Sequence, residues 1–450
     1  MKHLDNIQTL YFIGIGGIGM SALARYCKLK GYDVLGYDRT KSDITETLEK
    51  EDISVSFIDT IEAISKHNFD KETTLIIKTP AVKQSNILTW FQENEYNIIK
   101  RAALLGEVTK DTFCLAVAGT HGKTTTSAIL GHLLAETGMA VTAFLGGIAE
   151  NYNSNFISNG TQITVVEADE FDRSFMQLRP DIACITSMDP DHLDIYGDVA
   201  EFEKTFKDFA SLVPEKEHLL HKKGLSLNGK TVGIEEKADY EAQNVRIEDG
   251  GYVFNLKTPT RTLEDLRFYL PGKHNLHNAV TALGMAILAG SPTRRLPEAL
   301  QSFKGVQRRF SYRIKTDDLV LIDDYAHHPT ELDALHQAVA EMYPNESKMI
   351  VFQPHLFSRT KDFVEGFAKS LSKFDEIMLM DIYPAREEPM EGITSKWLLE
   401  KIDSEHKKLV SKEDLPKAVQ QSTCKVKVMA GAGDIGVEVN NVKKYLEHEA

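Results

Sequence analysis

The run AGTHGKTTT, Ala118 to Thr126, holds the residue types from which a phosphate site is built. Backbone N–H groups of a glycine-rich turn cradle phosphates, a lysine neutralises the transferred group, and the hydroxyl of the next residue reaches magnesium. Gly119, Thr120, His121, Gly122, Lys123, Thr124 and Thr125 are therefore the candidate ATP residues, with Lys123 on the reacting phosphates and Thr124 on the metal. The general form GxxxxGK[ST] would place a glycine at 117, where this chain has Val117. The loop is a variant of that signature.

A second glycine run has a different spacing. Gly14, Gly16 and Gly19 form GxGxxG, with Gly17 inside it and Asp38 beyond the next apolar segment. Glycines allow the tight turn and a close approach to a phosphate, and the following helix offers unpaired N–H groups. The pattern suits NAD and nucleotide-sugar diphosphates alike.

Magnesium prefers hard oxygen ligands. Glu167 ends the apolar run of VVEADE, and Asp189, Asp191, His192 and Asp194 cluster in MDPDHLD. Glu167 and His192 are the metal candidates from these two stretches, whereas Asp169 and Glu170 suit a cap of the helix that follows. GKHNLHN, residues 272–278, offers the amides of Asn275 and Asn278 to an adenine edge and sets His274 near phosphate or metal. Arg308 and Arg309 in QRRF precede Asp323, Asp324, His327 and His328 in DDYAHHPTE. An arginine such as Arg309 stabilises a transferring phosphoryl group, and an aspartate such as Asp324 suits ribose hydroxyls.

These groups need a scaffold, and 450 residues correspond to about three domains. The 52 basic and 66 acidic residues leave a net charge of -14, which works against a polyanion-coating surface and so against a nucleic-acid partner. Cys27, Cys114, Cys184 and Cys424 are too scattered for a zinc pair or a disulfide framework. No stretch approaches the roughly 20 apolar residues of a membrane span, and the start lacks a basic segment with an apolar core. A cytoplasmic protein without membrane insertion is expected.

Apolar strands alternate with helical stretches throughout, which predicts an α/β fold with doubly wound layers. In the first part, strands at Leu10 to Ile13 and Tyr32 to Tyr37 flank a glycine loop and a helix through Leu29. In the second, Phe113 to Ala118 leads through the phosphate loop into a helix over Thr124 to Glu136, and residues 218–270 suggest a small antiparallel excursion. In the third, Leu319 to Ile322 leads to Asp323, a helix from Thr330 to Met342 and a strand at Met349 to Phe352. The expected domains are 1–108, 109–312 and 313–450.

In order and spacing the motifs closely resemble the ATP-dependent Mur ligases of bacterial peptidoglycan synthesis. The resemblance rests on GIGGIGMSALA, AGTHGKTTT, VEADE, DPDHLD, PGKHNLHNA, GVQRRF, DDYAHHPTE, FQPHLFSRT, DIYPAREEP and AGAGDIG, which span nearly the whole chain. It implies a Rossmann-like amino-terminal domain for a UDP-linked substrate, a central P-loop-like ATPase domain, and a Rossmann-like carboxyl-terminal domain that brings in an amino acid. Within the family the motifs are most like those of members that join L-alanine to UDP-N-acetylmuramate. A monomer or weak homodimer is expected, with the sequence leaving the choice open.

That resemblance assigns Gly14, Gly16, Gly17 and Gly19, with Arg101 of RAALLGE, to the UDP-linked sugar. It places Asn275 and Asn278 at adenine, His274 near phosphates or magnesium, and Thr124, Glu167 and His192 on the metal ions. Lys123, His192, Arg309 and His328 become the catalytic set. Arg359 is expected to hold the carboxylate of L-alanine, with His328 and His355 orienting it, while His327 serves equally well as a helix cap. Where a familiar member reads PHRYTRT, this chain has Leu356 in place of the first arginine, leaving Arg359 alone or compensated by another residue. Some relatives bridge magnesium with a carbamylated lysine. The L-alanine-adding members carry an aromatic there, matching Phe206, so Lys207 is expected on the helix surface.

Other activities predict other products. A recycling ligase would attach an intact murein tripeptide to UDP-N-acetylmuramate; DDYAHHPTE and FQPHLFSRT look more like the L-alanine enzyme, and DIYPAREEP supports that choice. An NAD-dependent oxidoreductase would leave Lys123 and Thr124 without a purpose. A nucleotide-binding regulator need not form ADP in response to an amino acid, and an adenylating synthetase would release AMP and pyrophosphate.

Overall fold

Each of the three predicted α/β layers is present as a sheet. The structure, a computed structural model, describes residues 4 and 6–448 except 68, 190–195, 197 and 386. The first sheet has five parallel strands in the order 54–56, 33–37, 9–13, 74–78, 97–100. Strand order reverses at Thr9–Ile13, and the glycine loop leaves that strand at its carboxyl end, where open α/β sheets bind ligands. Four of that strand's five residues are buried, as a strand covered on both faces requires.

The second sheet has ten strands, in the order 262–268, 251–257, 240–248, 230–234, 219–222, 182–185, 113–118, 163–168, 141–149, 154–158. Phe113–Ala118 lies between Ile182–Ile185 and Ile163–Ala168, parallel to both, with Val117 opposite Glu167 and Ala118 opposite Ala168 and Ile185. In-register parallel strands end together, so Gly119 to Lys123, Glu167 to Glu170 and Thr186 to Asp189 emerge at one edge. Lys123–Glu136 then runs as a helix buried on nearly every side from Thr125 to Leu134, which explains its lack of a polar stripe.

The expected antiparallel excursion begins later than residue 218. Strands 219–222, 230–234 and 240–248 continue the sheet in parallel pairings. The chain reverses only at Asp249 and Gly250, both at positive φ (51° and 73°), as a two-residue hairpin turn requires. The short connections between the earlier strands carry no hairpin pattern, so composition alone misjudged their direction.

The third sheet runs 311–315, 320–324, 426–430, 348–352, 376–379, 407–409. Its first pair is antiparallel and the rest are parallel. Asp324 therefore ends its strand beside the points where Gln353 and Gly431 follow theirs.

The chain forms two compact units. One comprises Met1–Arg246, Val253–Phe268 and His277–Lys304, the other Ile247–Tyr252, Tyr269–Leu276 and Gly305–Ala450. One apolar core in the first unit joins its two sheets, from Leu10 and Phe12 to Cys114, Val166 and Phe206, and a second cluster around Tyr11 and Phe91 covers the other face of the first sheet. In the same unit Asn155 donates to Ser21 Oγ at 2.9 Å and accepts from Arg25, which also pairs with Glu51 at 2.7 Å. All four cysteines are buried thiols. No helix among the described residues is long and apolar enough to cross a membrane.

Candidate functional site

In the first unit, the loop after Phe113–Ala118 is shaped by two glycines. Gly119 has φ +133°, and a Cβ there would overlap the Thr186 hydroxyl. Gly122 has φ +84°, and its Cβ would stand 2.5 Å from Asn278 Oδ1. Only glycine meets both demands without strain. Hydroxyls from the neighbouring strand end fix the turn: Ser187 Oγ lies 2.8 Å from Thr120 Oγ1 and accepts from the His121 N–H at 2.8 Å, and Thr186 donates to the carbonyls of Ala118 and His121.

Lys123 starts the helix, and its ammonium donates to the Gly119 carbonyl at 2.6 Å and to both Glu170 oxygens at 2.9 and 2.8 Å. Glu170 stands at the cap position of helix Phe171–Gln177, but its side chain binds the lysine and makes no cap hydrogen bond, contrary to the helix-cap expectation. Asp169 does accept from the Phe171 N–H at 3.1 Å, so the capping role falls to it.

Thr124 Oγ1 donates to Glu167 Oε2 at 3.3 Å, while Ser127 Oγ and the Gly146 N–H donate to Oε1 at 3.2 and 2.6 Å. Burial pushes the Glu167 carboxyl up, against the Gly146 hydrogen bond and the nearby Lys123 charge. Thr124 and Glu167 together present oxygen donors to one point, a set that fits magnesium. Among the described residues no three His, Cys, Asp or Glu side chains group as metal ligands. His192, Asp191 and Asp194 lie outside the described residues.

At the first sheet, Gly14 has φ +85°, and a Cβ would meet Thr79 Cγ2 at 2.6 Å. Asp38 accepts from the Gly16 N–H at 2.8 Å and the Thr40 N–H at 3.1 Å, so it braces the glycine loop itself. Arg101 begins the helix after the last strand, with Nη1 3.0 Å from where a Gly19 Cβ would stand and Nη2 3.3 Å from Asp169 Oδ2.

Lys207 is 49% exposed and pairs with Glu203 one helical turn away at 3.8 Å. Phe206 beside it is buried against Phe175 and Phe202. The helix thus points the lysine outward and the aromatic inward, as expected.

In the second unit, Arg308 and Arg309 both lie 5.0 Å from the Tyr325 ring centroid. Arg308 continues to the Gly431 carbonyl at 2.5 Å and approaches Asp323 at 3.7 Å. It is a structural arginine, whereas the Arg309 guanidinium, beyond its ring contact, acts by charge on Asp324 and His274. Asp324 accepts from the N–H groups of Phe310 and Ala326, each at 2.7 Å, yet burial pushes its carboxyl up to about 6. Asn275 donates to the Pro271 carbonyl at 2.6 Å. Desolvation first, and the Arg309 charge second, hold His274 down at about 4.

The cap of helix Pro329–Met342 is His328, not His327: the Thr330 N–H donates to His328 Nδ1 at 3.4 Å, and the Thr330 hydroxyl lies 2.8 Å from it. A proline at the first helical position needs no N–H partner, which moves the cap one residue later than expected. His327 instead donates from Nδ1 to the Tyr325 carbonyl at 2.9 Å, and Glu331 accepts from its backbone N–H. His355 stacks on Tyr383 with centroids 5.7 Å apart, and its Nδ1 is buried without a partner among the described residues. Burial, then His327 and Arg359, push His355 down to about 4.

The Arg359 guanidinium has no hydrogen bond or ion pair among the described residues, while its carbonyl accepts from the Phe363 N–H at 3.1 Å. Leu356 adopts φ +72° just before its helix, with its N–H on the Tyr383 carbonyl at 2.9 Å. Glu387 of DIYPAREEP accepts from the Ser358 N–H at 3.0 Å and from its hydroxyl, tying two of the motifs together.

Sequence reasoning placed Lys123, Thr124 and Glu167 together but missed Ser127, Ser187 and the Lys123–Glu170 pair. Ser127 was findable, because it stands one turn after Thr124 on the same helix face. Ser187 and Glu170 arrive through sheet register, which local spacing does not carry.

Comparison with known proteins adds an independent line. Residues 9–112 match the Mur ligase family catalytic domain, 117–286 the Mur ligase middle domain, and 308–437 the Mur ligase glutamate ligase domain. The UDP-N-acetylmuramate–L-alanine ligase of Christiangramia forsetii is 59% identical over 452 residues, covering 100% of both chains. That of Porphyromonas gingivalis strain W83 is 47% identical, covering 98% of this chain and 99% of its own. The crystal structure of the Thermotoga maritima UDP-N-acetylmuramate–alanine ligase superposes with a TM-score of 0.83 at 26% identity, covering 98% of this chain and 100% of that one.

Proposed function

The chain belongs to the Mur ligase family, and we infer from that premise that it joins L-alanine to the carboxylate of UDP-N-acetylmuramate, converting ATP to ADP and phosphate. The observation that carries the reading is 59% identity, end to end, with an L-alanine ligase. Family membership implies use of ATP and magnesium.

A carboxylate is a poor acyl donor at neutral pH. The muramyl carboxylate therefore attacks the γ-phosphoryl group, giving an acyl phosphate and ADP. The L-alanine amine attacks that carbonyl, a tetrahedral intermediate collapses, and phosphate leaves as the amide forms. Lys123 and the N–H groups of Gly119 to Thr124 are assigned to the phosphates, and Arg309 offsets charge on the transferring group. Thr124 and Glu167 would hold magnesium, which offsets phosphate charge when bound. Asn275 and Asn278 are assigned to adenine, Asp324 to ribose, and His274 to the phosphate region. Gly14 to Gly19 and Arg101 are assigned to the UDP-linked sugar.

Arg359, whose guanidinium has no hydrogen bond or ion pair among the described residues, suits the L-alanine carboxylate. His355, held neutral, and His328, whose Nδ1 is committed to the cap, are assigned to orienting that substrate. Solvent-exposed Lys207 has no part in this scheme.

The test is to incubate the protein with UDP-N-acetylmuramate, ATP, magnesium and either L-alanine or murein tripeptide, and to identify products by mass spectrometry. UDP-N-acetylmuramoyl-L-alanine with stoichiometric ADP and phosphate is expected. Product with the tripeptide alone would replace the L-alanine reading with the recycling reaction.

A further inference from the structure

An ammonium group has three N–H donors, and three oxygens already lie within hydrogen-bond reach of Lys123 Nζ: the Gly119 carbonyl at 2.6 Å and the Glu170 carboxylate at 2.9 and 2.8 Å. Glu170 is 3% exposed and Lys123 17%, so water competes little for the pair. Arg173 N–H donates to the Glu170 carbonyl at 2.9 Å, and the Tyr196 hydroxyl donates to the same oxygen. The carboxylate is thus held in place from its own backbone. A nucleotide phosphate can engage Lys123 only by taking a donor from one of these partners. The Gly119 carbonyl is part of the loop that must persist, whereas the carboxylate is an anion competing for the same cation.

We propose that Glu170 is a positioning residue that holds Lys123 in the ligand-free protein and yields it to the phosphates of the incoming nucleotide, so that this carboxylate sets ATP affinity by competition. The inference rests on the assignment of Lys123 to the phosphates. A purely structural ion pair predicts the opposite sign, because losing it would loosen the lysine and weaken nucleotide binding. Competition predicts tighter binding once the carboxylate is neutral.

The experiment is calorimetric titration of ATP with magnesium, without UDP-N-acetylmuramate or L-alanine, into the wild-type chain and Glu170→Gln. Exchanging a charged for a neutral partner is expected to lower the Kd about fivefold to tenfold. An unchanged or higher Kd in the variant, with normal wild-type binding, would overturn the competition and leave the phosphate assignment standing. Failure of the wild-type chain to bind ATP would overturn the phosphate assignment itself. Should Glu170→Gln not fold, a crystal structure of the wild-type chain with ATP and magnesium decides the matter. Lys123 Nζ is expected beyond about 3.5 Å from both Glu170 oxygens, and a retained bidentate pair would sink the proposal.

Discussion

Arg101 and Asp169 form an ion pair at 3.3 Å that links the helix after the first sheet's last strand to the VEADE segment of the second sheet. Asp169 is flanked in sequence by Glu167, which accepts from Thr124, and Glu170, which holds Lys123. One short segment therefore touches the candidate metal, phosphate and sugar-nucleotide groups. The side chains of Arg101 and Asp169 are 20% and 42% exposed, so the pair contributes at most ~1 kcal/mol to folding. Arg101→Ala should lower stability by no more than that, yet weaken UDP-N-acetylmuramate binding about tenfold through lost charge-assisted hydrogen bonds. Urea unfolding and substrate titration check both parts; a stability loss with unchanged substrate affinity would make Arg101 a structural residue only.

Gly119 tests the phosphate loop through its backbone. Its φ of +133° is strained for any other residue, and a Cβ would push into Thr186, which hydrogen-bonds both ends of the turn. Gly119→Ala is expected to cost about 1–3 kcal/mol of stability and to weaken ATP binding at least about tenfold. Wild-type ATP affinity in a folded variant would show that the loop shape does not matter to the nucleotide.

Much of this was legible because it is local. The loop of Gly119 to Thr124 follows an apolar strand, and its glycines stand where the turn needs positive φ, so the motif and the geometry are one fact. Asp38 was also visible at the end of its strand, though its partner proved to be the Gly16 N–H rather than open space for a ligand. What could not be read was what register decides. Val117 opposite Glu167 brings Glu170 to Lys123, and no spacing rule joins residues 47 positions apart. The histidines belong with the local features: the pattern HHPT announces a cap, and the proline at the first helical position points to His328, the residue before it.

Asp323 offers a pH test away from the reaction. It is 2% exposed, and burial raises its carboxyl to about 6 against the opposing pull of Arg308 and Arg313, with Asp324 adding to the rise. A raised folded-state pKa gives stability that is complete below the unfolded value near 4 and is lost as pH climbs through about 6. Other carboxylates, among them Glu387 and Asp434, are shifted downward and slope the opposite way. The informative quantity is therefore the wild-type minus Asp323→Asn difference in unfolding free energy. It should fall by up to ~3 kcal/mol between about pH 4 and pH 6. A difference that is flat or rises over that window would contradict the raised pKa.

Arg359 is the sharpest test of the amino acid end. Its guanidinium is free of hydrogen-bond partners among the described residues. The two imidazoles that feel its charge, His327 and His355, are both pushed toward the neutral form, by burial first. Nearby carboxylate is already committed: Glu387 is occupied by Ser358, with its carboxyl held below the usual range. A cation left unpaired next to neutral rings favours an incoming anion, and the carboxylate of L-alanine is the anion this reaction supplies. Arg359→Ala should raise the KM for L-alanine at least about tenfold, with the KM for ATP within about twofold. Arg359→Lys should recover only part of the loss, because an ammonium lacks the planar fork that meets a carboxylate with two parallel bonds. Steady-state kinetics with each substrate varied in turn checks both variants. A rise confined to the ATP requirement would move Arg359 from the amino acid to the nucleotide and leave the L-alanine carboxylate without its proposed partner.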